Sequence, residues 1–508
     1  MLWHVVGALF LLYLFNEFYW KRRNLPPGPL PLPLIGNSLT FFTNSKQDNP
    51  MISVLQKWKN EYGSIYTYWF GGFPIVTVND METIQEMFIT DGDNYSDRAP
   101  FAQVFADEFR DGHYGVIETS GHLWREQRRF SLHTLRNIGW GRKEMQDRIL
   151  LEAEALMDRF EEDAKNGPVT PMKYLDQTVC SVINVVLFGF RFDEKTSHEF
   201  RKIRDLLDKQ VEEISNPIIF LVLDKPWIRD NIPFIKRKFD IIMESKYAMF
   251  DFFRRNIEEH KKWIDYDSEE TSDYCEAYLK EIKKQENDPD TTFHEKQLIA
   301  MFIDLWLAGM ETTSSTMAWG VVLLLNHPEV LSKMHDEFDR VIGEERLITI
   351  EDKTRLPYTN AVICEVQRWA NIVPQNLLRR SSRGVTVKGH TIPAGTVISP
   401  QISLLLFDPE VFLNPEKFDP ARFLDEKGNL SQSKQFLPFS VGKRQCLGEG
   451  LARMELFLFF SNIAHRFEIT PVKNQMPTMN KIFSSASKPA PYCCDLKKRI
   501  MKKSEQSY

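Results

Sequence analysis

The sequence predicts a mainly α protein with a minor β-sheet region and a membrane anchor at its N-terminus. Three observations carry that reading. Apolar residues recur with helical period over residues 145–160, 239–257, 293–326 and 450–467. Strand-like runs are few: residues 65–70 and 74–78 flank Gly71-Gly72, and residues 384–399, with Pro393-Ala394-Gly395 among them, read as a second hairpin. The third is an apolar run at residues 2–20, followed at once by Lys21-Arg22-Arg23.

That run is just long enough to cross a bilayer, whose core takes about 20 apolar residues as a helix. Glu17 lies near its end, where a charge costs least. Positive charge follows the run, the reverse of a cleavable signal peptide, which places the body of the chain on the cytosolic side. A helix lying on the membrane surface is the competing reading. Next comes Leu25-Pro26-Pro27-Gly28-Pro29-Leu30-Pro31-Leu32-Pro33, whose proline density predicts an extended, semi-rigid segment. The expected division is an anchor over 1–20, a basic stop and proline-rich hinge over 21–34, and one body over 35–508.

A hydrophobic fraction of 43% in 508 residues suits a large globular core, and no repeat or low-complexity linker divides the body. The net charge of -6, with basic residues dispersed, argues against nucleic acid as a partner. The six cysteines, Cys180, Cys275, Cys364, Cys446, Cys493 and Cys494, show no C-x-x-C pair, which excludes a disulfide framework and favours a reducing compartment. Residues 265–292, rich in Asp, Glu and Lys, read as a solvated loop and helix without chemistry.

The helix over 293–326 would run roughly 50 Å at 1.5 Å per residue. Thr292 and Glu295 fit a capping box, and His327-Pro328 ends the pattern. It is apolar on nearly every face and so belongs inside the body, while Asp304, Glu311 and the run Thr312 to Ser315 argue against a membrane span. Halfway along stands Ala308-Gly309-Met310-Glu311-Thr312-Thr313. Ala308 and Gly309 remove bulk from one turn, and the Thr312 hydroxyl can bond back to the Ala308 carbonyl and open the helix ladder locally. Glu311 and Thr312 could then relay protons beside that gap. A packing notch between helices is the plainer reading of the same residues.

Phe439-Ser440-Val441-Gly442-Lys443-Arg444-Gln445-Cys446-Leu447-Gly448 sets a cysteine in a glycine-bracketed loop just before a helix. Gly442 and Gly448 let the main chain approach a flat ligand, and a helix N-terminus favours a thiolate. A thiolate so held can be the axial ligand of haem iron. A lone cysteine would otherwise read as a buried structural one. Trp124 and Arg128, four apart on a helix, can present an indole N–H and a guanidinium on one face, donors that haem carboxylates need.

The spacing F-x-x-G-x-R-x-C-x-G closely resembles the haem-binding signature of the cytochrome P-450 family. Ala308 to Thr313 resembles that family's A-G-x-E-T-T segment, and Trp124-Arg125-Glu126-Gln127-Arg128 its W-x-x-x-R. Glu365-Val366-Gln367-Arg368 and Pro415-Glu416-Lys417-Phe418-Asp419-Pro420-Ala421-Arg422-Phe423 resemble its E-x-x-R pair and the segment whose arginine completes an ion triad. A buried triad mainly specifies geometry, so Glu365, Arg368 and Arg422 are expected to serve folding. The resemblance spans essentially the whole chain and is strongest to the animal microsomal, drug- and fatty-acid-oxidising branch.

That resemblance implies a cytochrome P-450-like fold with the long central helix over haem b, and a monooxygenase that inserts one atom of O2 into a lipophilic substrate (fatty acid, steroid-like or xenobiotic). It makes Cys446 the iron ligand, and Trp124, Arg128, Arg444 and Arg379 (with Arg380 as the alternative) the partners of the haem propionates. Glu311 and Thr312 become the catalytic proton-delivery pair. Electrons would come from NADPH through a separate NADPH–cytochrome reductase, with cytochrome b5 as an optional second donor. Arg125, Arg129, Arg136, Arg142 and Lys143 read either as its docking patch or as a solvated face. The expected location is the endoplasmic reticulum membrane with the catalytic domain in the cytosol, so the sequons at Asn94 and Asn429 should stay unmodified. The pocket would draw on residues 98–117, 206–232 and 373–378 and the turn after Ala308, with Phe101, Phe105, Phe109, Phe220 and Phe483 as apolar lining. Two rivals share a haem thiolate or a haem: an isomerase or dehydratase of peroxides, which needs no proton relay, and a sensor or electron carrier with both haem faces filled.

Overall fold

The computed structural model describes residues 2–43, 50–139, 143–192, 196–214, 219, 222, 225–343, 346–482 and 486–500. The chain forms two compact units. The first takes in residues 1–103, 373–415 and 434–446; the second takes in 104–372, 416–433 and 447–508.

The first unit begins with the helix Leu2–Phe18, which leaves its apolar side chains exposed and, with the turn after it, is long and apolar enough to cross a membrane. The proline-rich segment after it is extended as expected, but it is not a free spacer. The Thr67 amide bonds to the Pro27 carbonyl at 2.9 Å, and Arg22 Nη2 donates to the Gly28 carbonyl at 3.0 Å. Lys21 sits 4.3 Å above the Trp69 ring, so the whole segment is laid along the first strand. Prolines cannot donate to a ladder, but their carbonyls accept, and an edge strand can use that.

Strands β1 (Ile65–Phe70) and β2 (Phe73–Val78) form the expected hairpin, with Ile65 opposite Val78. The residues 384–399 divide differently from expectation. β5 (Val385–Val387) and β6 (His390–Ile392) close a small hairpin at Lys388-Gly389, whereas β7 (Val397–Pro400) leaves it. All four β7 residues are buried, and β7 runs parallel to β2 in a five-stranded sheet ordered β1-β2-β7-β4-β3, with β3 (Asp97–Arg98) and β4 (Arg379–Arg380) completing it. Val397 and Ile398 suit the inside of a sheet better than a solvated ribbon, and buried Ser399 is satisfied by donating its hydroxyl to the Gln375 carbonyl at 3.1 Å.

The second unit is built around the 32-residue helix Glu295–Asn326, buried along most of its length as its all-round apolarity requires. It packs on helix Met172–Phe188, where Trp306 Nε1 donates to Asn184 Oδ1 at 3.0 Å. A Cβ on Gly309 would stand 2.6 Å from Ile183 Cδ1, so the bare side of this glycine faces the packed helix. The capping box is also replaced. The Thr292 hydroxyl donates to Glu126 Oε2 and accepts from Gln127 Nε2, and His294 takes the cap by accepting from the Gln297 amide at 3.2 Å. Burial lowers the His294 pKa, which keeps the ring neutral and Nδ1 an acceptor.

Residues 265–292 are less solvated than predicted. Helix Tyr274–Lys284 buries Tyr274, Cys275, Tyr278 and Leu279, and its N-cap Asp273 accepts from His260 Nε2 at 3.1 Å in a buried pair. Helix Glu449–Arg466 and the two-stranded pairs β8 (Phe467–Pro471) with β11 (Cys494–Lys498), and β9 (Lys481–Ile482) with β10 (Lys488–Pro489), complete the unit.

The expected triad forms here. Arg368 Nε and Nη2 donate to the two Glu365 oxygens at 2.6 and 2.8 Å, and Arg422 Nε donates to Glu365 Oε1 at 3.1 Å. The Asp419 amide adds 2.9 Å to the same oxygen, and both guanidiniums donate to the Lys417 carbonyl. Each charge therefore has hydrogen-bonded partners, the condition under which a dry ion pair is tolerated.

Candidate functional site

The first unit carries the cysteine loop. Ser440 and Gly442 both take left-handed backbone angles, with φ of 64° and 70°, and residues Gly442–Arg444 make one 3₁₀ turn. A Cβ on Gly442 would lie 1.8 Å from the Phe88 carbonyl oxygen, so the loop can close against that segment only with glycine there. The Cys446 amide then bonds back to the Phe439 carbonyl at 2.9 Å and ties the two ends of the loop together.

Cys446 is the exposed cysteine among the six. Burial pushes the thiols of Cys180 and Cys275 well up, Cys364 to about 11 and Cys494 to about 12, which leaves those four as inert packing groups. Two guanidiniums brace the loop. Arg379 is fully buried, donates to Ser440 Oγ at 3.1 Å and the Val441 carbonyl at 2.8 Å, and lies 4.9 Å from the Phe88 ring centre. Arg380 turns instead to Asp97 at 3.7 Å. Arg444 is buried and its Nε donates to the Ser96 carbonyl at 2.6 Å. An exposed sulfur in a rigid, glycine-closed loop with two buried cations alongside fits a flat, anionic, thiolate-ligated group such as haem.

The second unit carries the other named residues. Along the middle of the central helix Leu305, Leu307, Ala308, Gly309 and Thr312 are not fully buried, and Leu305, Ala308 and Thr312 align as an accessible stripe on one face. Thr312 Oγ1 donates to the Ala308 carbonyl at 2.7 Å as expected, yet the helix stays α from Glu295 to Asn326 and is not opened by the bond. Glu311 and Thr312 stand three and four residues after Ala308 and so flank it on the helix surface. Glu311 is paired with Lys488, Nζ to Oε1 2.6 Å. Glu455 is buried and faces Thr313, and desolvation lifts its pKa to about 8, keeping it neutral near pH 7.

Helix Gly121–Asn137 separates its faces cleanly. Trp124 is buried and Arg128 half-buried on the inner side, while Arg125, Arg129 and Arg136 are exposed, as is Lys143 at the start of the next helix. Arg142 lies outside the described residues, as do Phe220 and Phe483. Of the other aromatic pocket candidates, Phe105 and Phe109 lie tilted against each other with ring centres 5.5 Å apart, and Phe109 packs with Ile235, Phe239 and Ile242 as ordinary core; Phe101 sits edge-on to Phe73 at 6.1 Å.

One feature of this unit went unread in the sequence. Buried Asp304, on the central helix, accepts from the amides of Val116 and Ile117 at 2.7 and 2.9 Å and from Arg110 Nε at 2.9 Å. Gln297, two turns earlier, bonds both ways to Gly115. Two polar residues seven apart on an apolar helix were the available signal, because a buried carboxylate must find donors. They pin Arg110 and residues 115–117 to the helix.

Comparison with known proteins is consistent over nearly the full length. The profile described as "Cytochrome P450" matches residues 26–494. "Cytochrome P450 2C23" of Rattus norvegicus is 36% identical over 473 residues, covering 91% of this chain and 91% of that protein. "Cytochrome P450 2C44" of Mus musculus is 36% identical over 467 residues, covering 92% and 91%. "Cytochrome P450 2A4" of Mus musculus is 35% identical over 469 residues, covering 91% and 92%.

Proposed function

The chain belongs to the cytochrome P450 family of haem-thiolate monooxygenases, and from that premise we propose that Cys446 supplies the thiolate of an enzyme that hydroxylates or epoxidises lipophilic molecules. The observation that carries the assignment is the exposure of Cys446 in a loop that Gly442 and the Cys446–Phe439 hydrogen bond hold in one shape. When bound, haem b supplies the iron chemistry by which one atom of O2 enters the substrate and the other leaves as water, consuming two electrons and two protons. Arg379, Arg444, Trp124 and Arg128 are its carboxylate partners in this reading.

The protein's own part is to deliver those protons and keep other water out. The Thr312 hydrogen is committed to the Ala308 carbonyl, so toward the accessible stripe the hydroxyl offers lone pairs and can hold a proton-carrying water in place. Glu311, on the neighbouring position, is the carboxylate that takes protons from solvent. Thr312→Ala is therefore expected to fold and bind haem but to waste electrons. With reductase present, NADPH consumption should continue while hydrogen peroxide rises and oxygenated product per NADPH falls severalfold. An unchanged product-to-NADPH ratio would make Thr312 a packing residue.

The exposed Arg125, Arg129 and Arg136, with Lys143, suit an acidic flavoprotein such as NADPH–cytochrome reductase, and cytochrome b5 fits the same chemistry. The substrate classes in view are polyunsaturated fatty acids and lipophilic xenobiotics, for which product profiling of the reconstituted enzyme is the deciding measurement. We infer an anchor in the endoplasmic reticulum membrane with the body in the cytosol, supported by the apolar helix and the basic cluster after it.

Only one of the two sequons reports on that topology. Asn94 is buried and its amide oxygen accepts from Ser382 and Arg383, so a sugar there would be incompatible with the folded body and its absence says little about compartment. Asn429 is exposed. Asn429 is expected to carry no sugar in microsomes, and an endoglycosidase-sensitive shift abolished by Asn429→Gln would place the body in the lumen.

A further inference from the structure

We propose that Lys488 is a positioning residue for proton delivery: its ammonium holds the Glu311 carboxylate ionised and fixed beside Ala308 and Thr312. The inference rests on the role proposed above for Glu311. Lys488 Nζ stands 2.6 Å from Glu311 Oε1, and the two side chains are only 15% and 11% exposed. A carboxylate so far from bulk water is costly to ionise alone, and an ammonium at contact distance offsets that cost.

The lysine is not on a free arm. Next to it, the Ser487 amide bonds to the Ile372 carbonyl at 2.8 Å, and the Ser487 carbonyl accepts from Trp319 Nε1 of the central helix at 3.0 Å. Lys481, on the partner strand, donates to the Trp369 and Ala370 carbonyls at 2.7 and 2.8 Å. The β9–β10 pair is thus fastened at both strands, which fixes the backbone from which Lys488 reaches the central helix.

Behind Lys488 stands Asp208 Oδ1 at 4.0 Å; Arg204 joins it at 2.7 Å and reaches Asp176 at 3.3 Å. The charges alternate from Asp176 through Arg204, Asp208 and Lys488 to Glu311. Asp208, with its side chain 56% exposed, is where the row meets solvent, and the row ends at the nearly dry carboxylate. In each proton transfer Glu311 accepts a proton from water, passes it on and returns to the anion. Lys488 is the contact counter-ion of that cycle and not a link in it; Asp208 holds Lys488 from behind, and Arg204, whose charge Glu311 also favours, is a second cation near the same carboxylate.

The test uses the full chain reconstituted with reductase, and follows across the neutral pH range the share of NADPH electrons recovered as hydrogen peroxide. This readout needs no organic substrate. Lys488→Gln is expected to raise the peroxide share severalfold and to move its pH profile upward by about one unit, because a carboxylate without its cation is protonated more readily. Lys488→Arg should restore both, and Glu311→Gln should flatten the profile, with the Glu311→Gln, Lys488→Gln pair behaving as Glu311→Gln alone. Infrared difference spectra give a readout independent of turnover: a protonated carboxyl band should appear near neutral pH in Lys488→Gln and vanish when Glu311→Gln is added. If Lys488→Gln keeps the wild-type profile and shows no such band while Glu311→Gln alters the profile, Lys488 has no positioning role. If Glu311→Gln also leaves the peroxide share unchanged, the role given to Glu311 falls instead.

Discussion

Cys446→Ser is expected to lose the thiolate-type carbon monoxide spectrum and all monooxygenase turnover. A serine alkoxide is far harder to form than a thiolate, so an oxygen in this position cannot supply the same axial charge. The loop itself should survive the change, because the Gly442 approach to Phe88 and the Cys446–Phe439 bond are made by main chain. The variant should therefore accumulate as folded protein with the circular dichroism of the wild type. A retained thiolate spectrum would mean that another group holds the iron, and the assignment of the site would fail. None of the other five cysteines is placed to substitute by chemistry: Cys493 is half-buried, and burial raises the pKa of the rest.

The second large effect is on stability. Glu365→Gln removes the charge that neutralises Arg368 and Arg422, and both Glu365 and Arg368 are 0% exposed. Breaking a buried pair from one side leaves the other charge uncompensated, at a cost of about 3–5 kcal/mol. The variant is expected to unfold at a clearly lower urea concentration or to fail to accumulate. Arg422→Met should cost less, since Arg422 is nearer solvent and Glu365 keeps Arg368 and the Asp419 amide. The order of unfolding midpoints is the measurement. A Glu365→Gln midpoint above that of Arg422→Met would mean that the triad is not held together by its carboxylate.

That triad was legible in the sequence because both of its parts are short motifs with fixed internal spacing, and Glu365 and Arg368 meet within one helical turn. The same holds for the cysteine loop and for the back-bond from Thr312 to Ala308. The capping of the central helix was misread for the opposite reason. Thr292 had the right spacing from Glu295, but its hydroxyl is drawn off by Glu126 and Gln127 from a helix far away in sequence. A local rule cannot weigh a partner it does not contain.

By itself the sequence determined the features that depend on neighbours along the chain: the main helical segments, where the first hairpin turns, the apolar N-terminal helix, and the glycine-bracketed loop that carries Cys446. Helical and strand periods report burial directly, and a turn or a motif needs only a few adjacent residues. Only the tertiary structure decided the pairings. It seated the proline-rich segment on β1, spent Gly309 on the contact with Ile183, drew β7 out of its expected hairpin into the sheet, and buried Asn94. It also gave Asp304 the amides of Val116 and Ile117, and gave Glu311 its ammonium from Lys488. A buried polar group must find a partner, but nothing in its own neighbourhood of sequence says which one; the partner is fixed by how the elements pack.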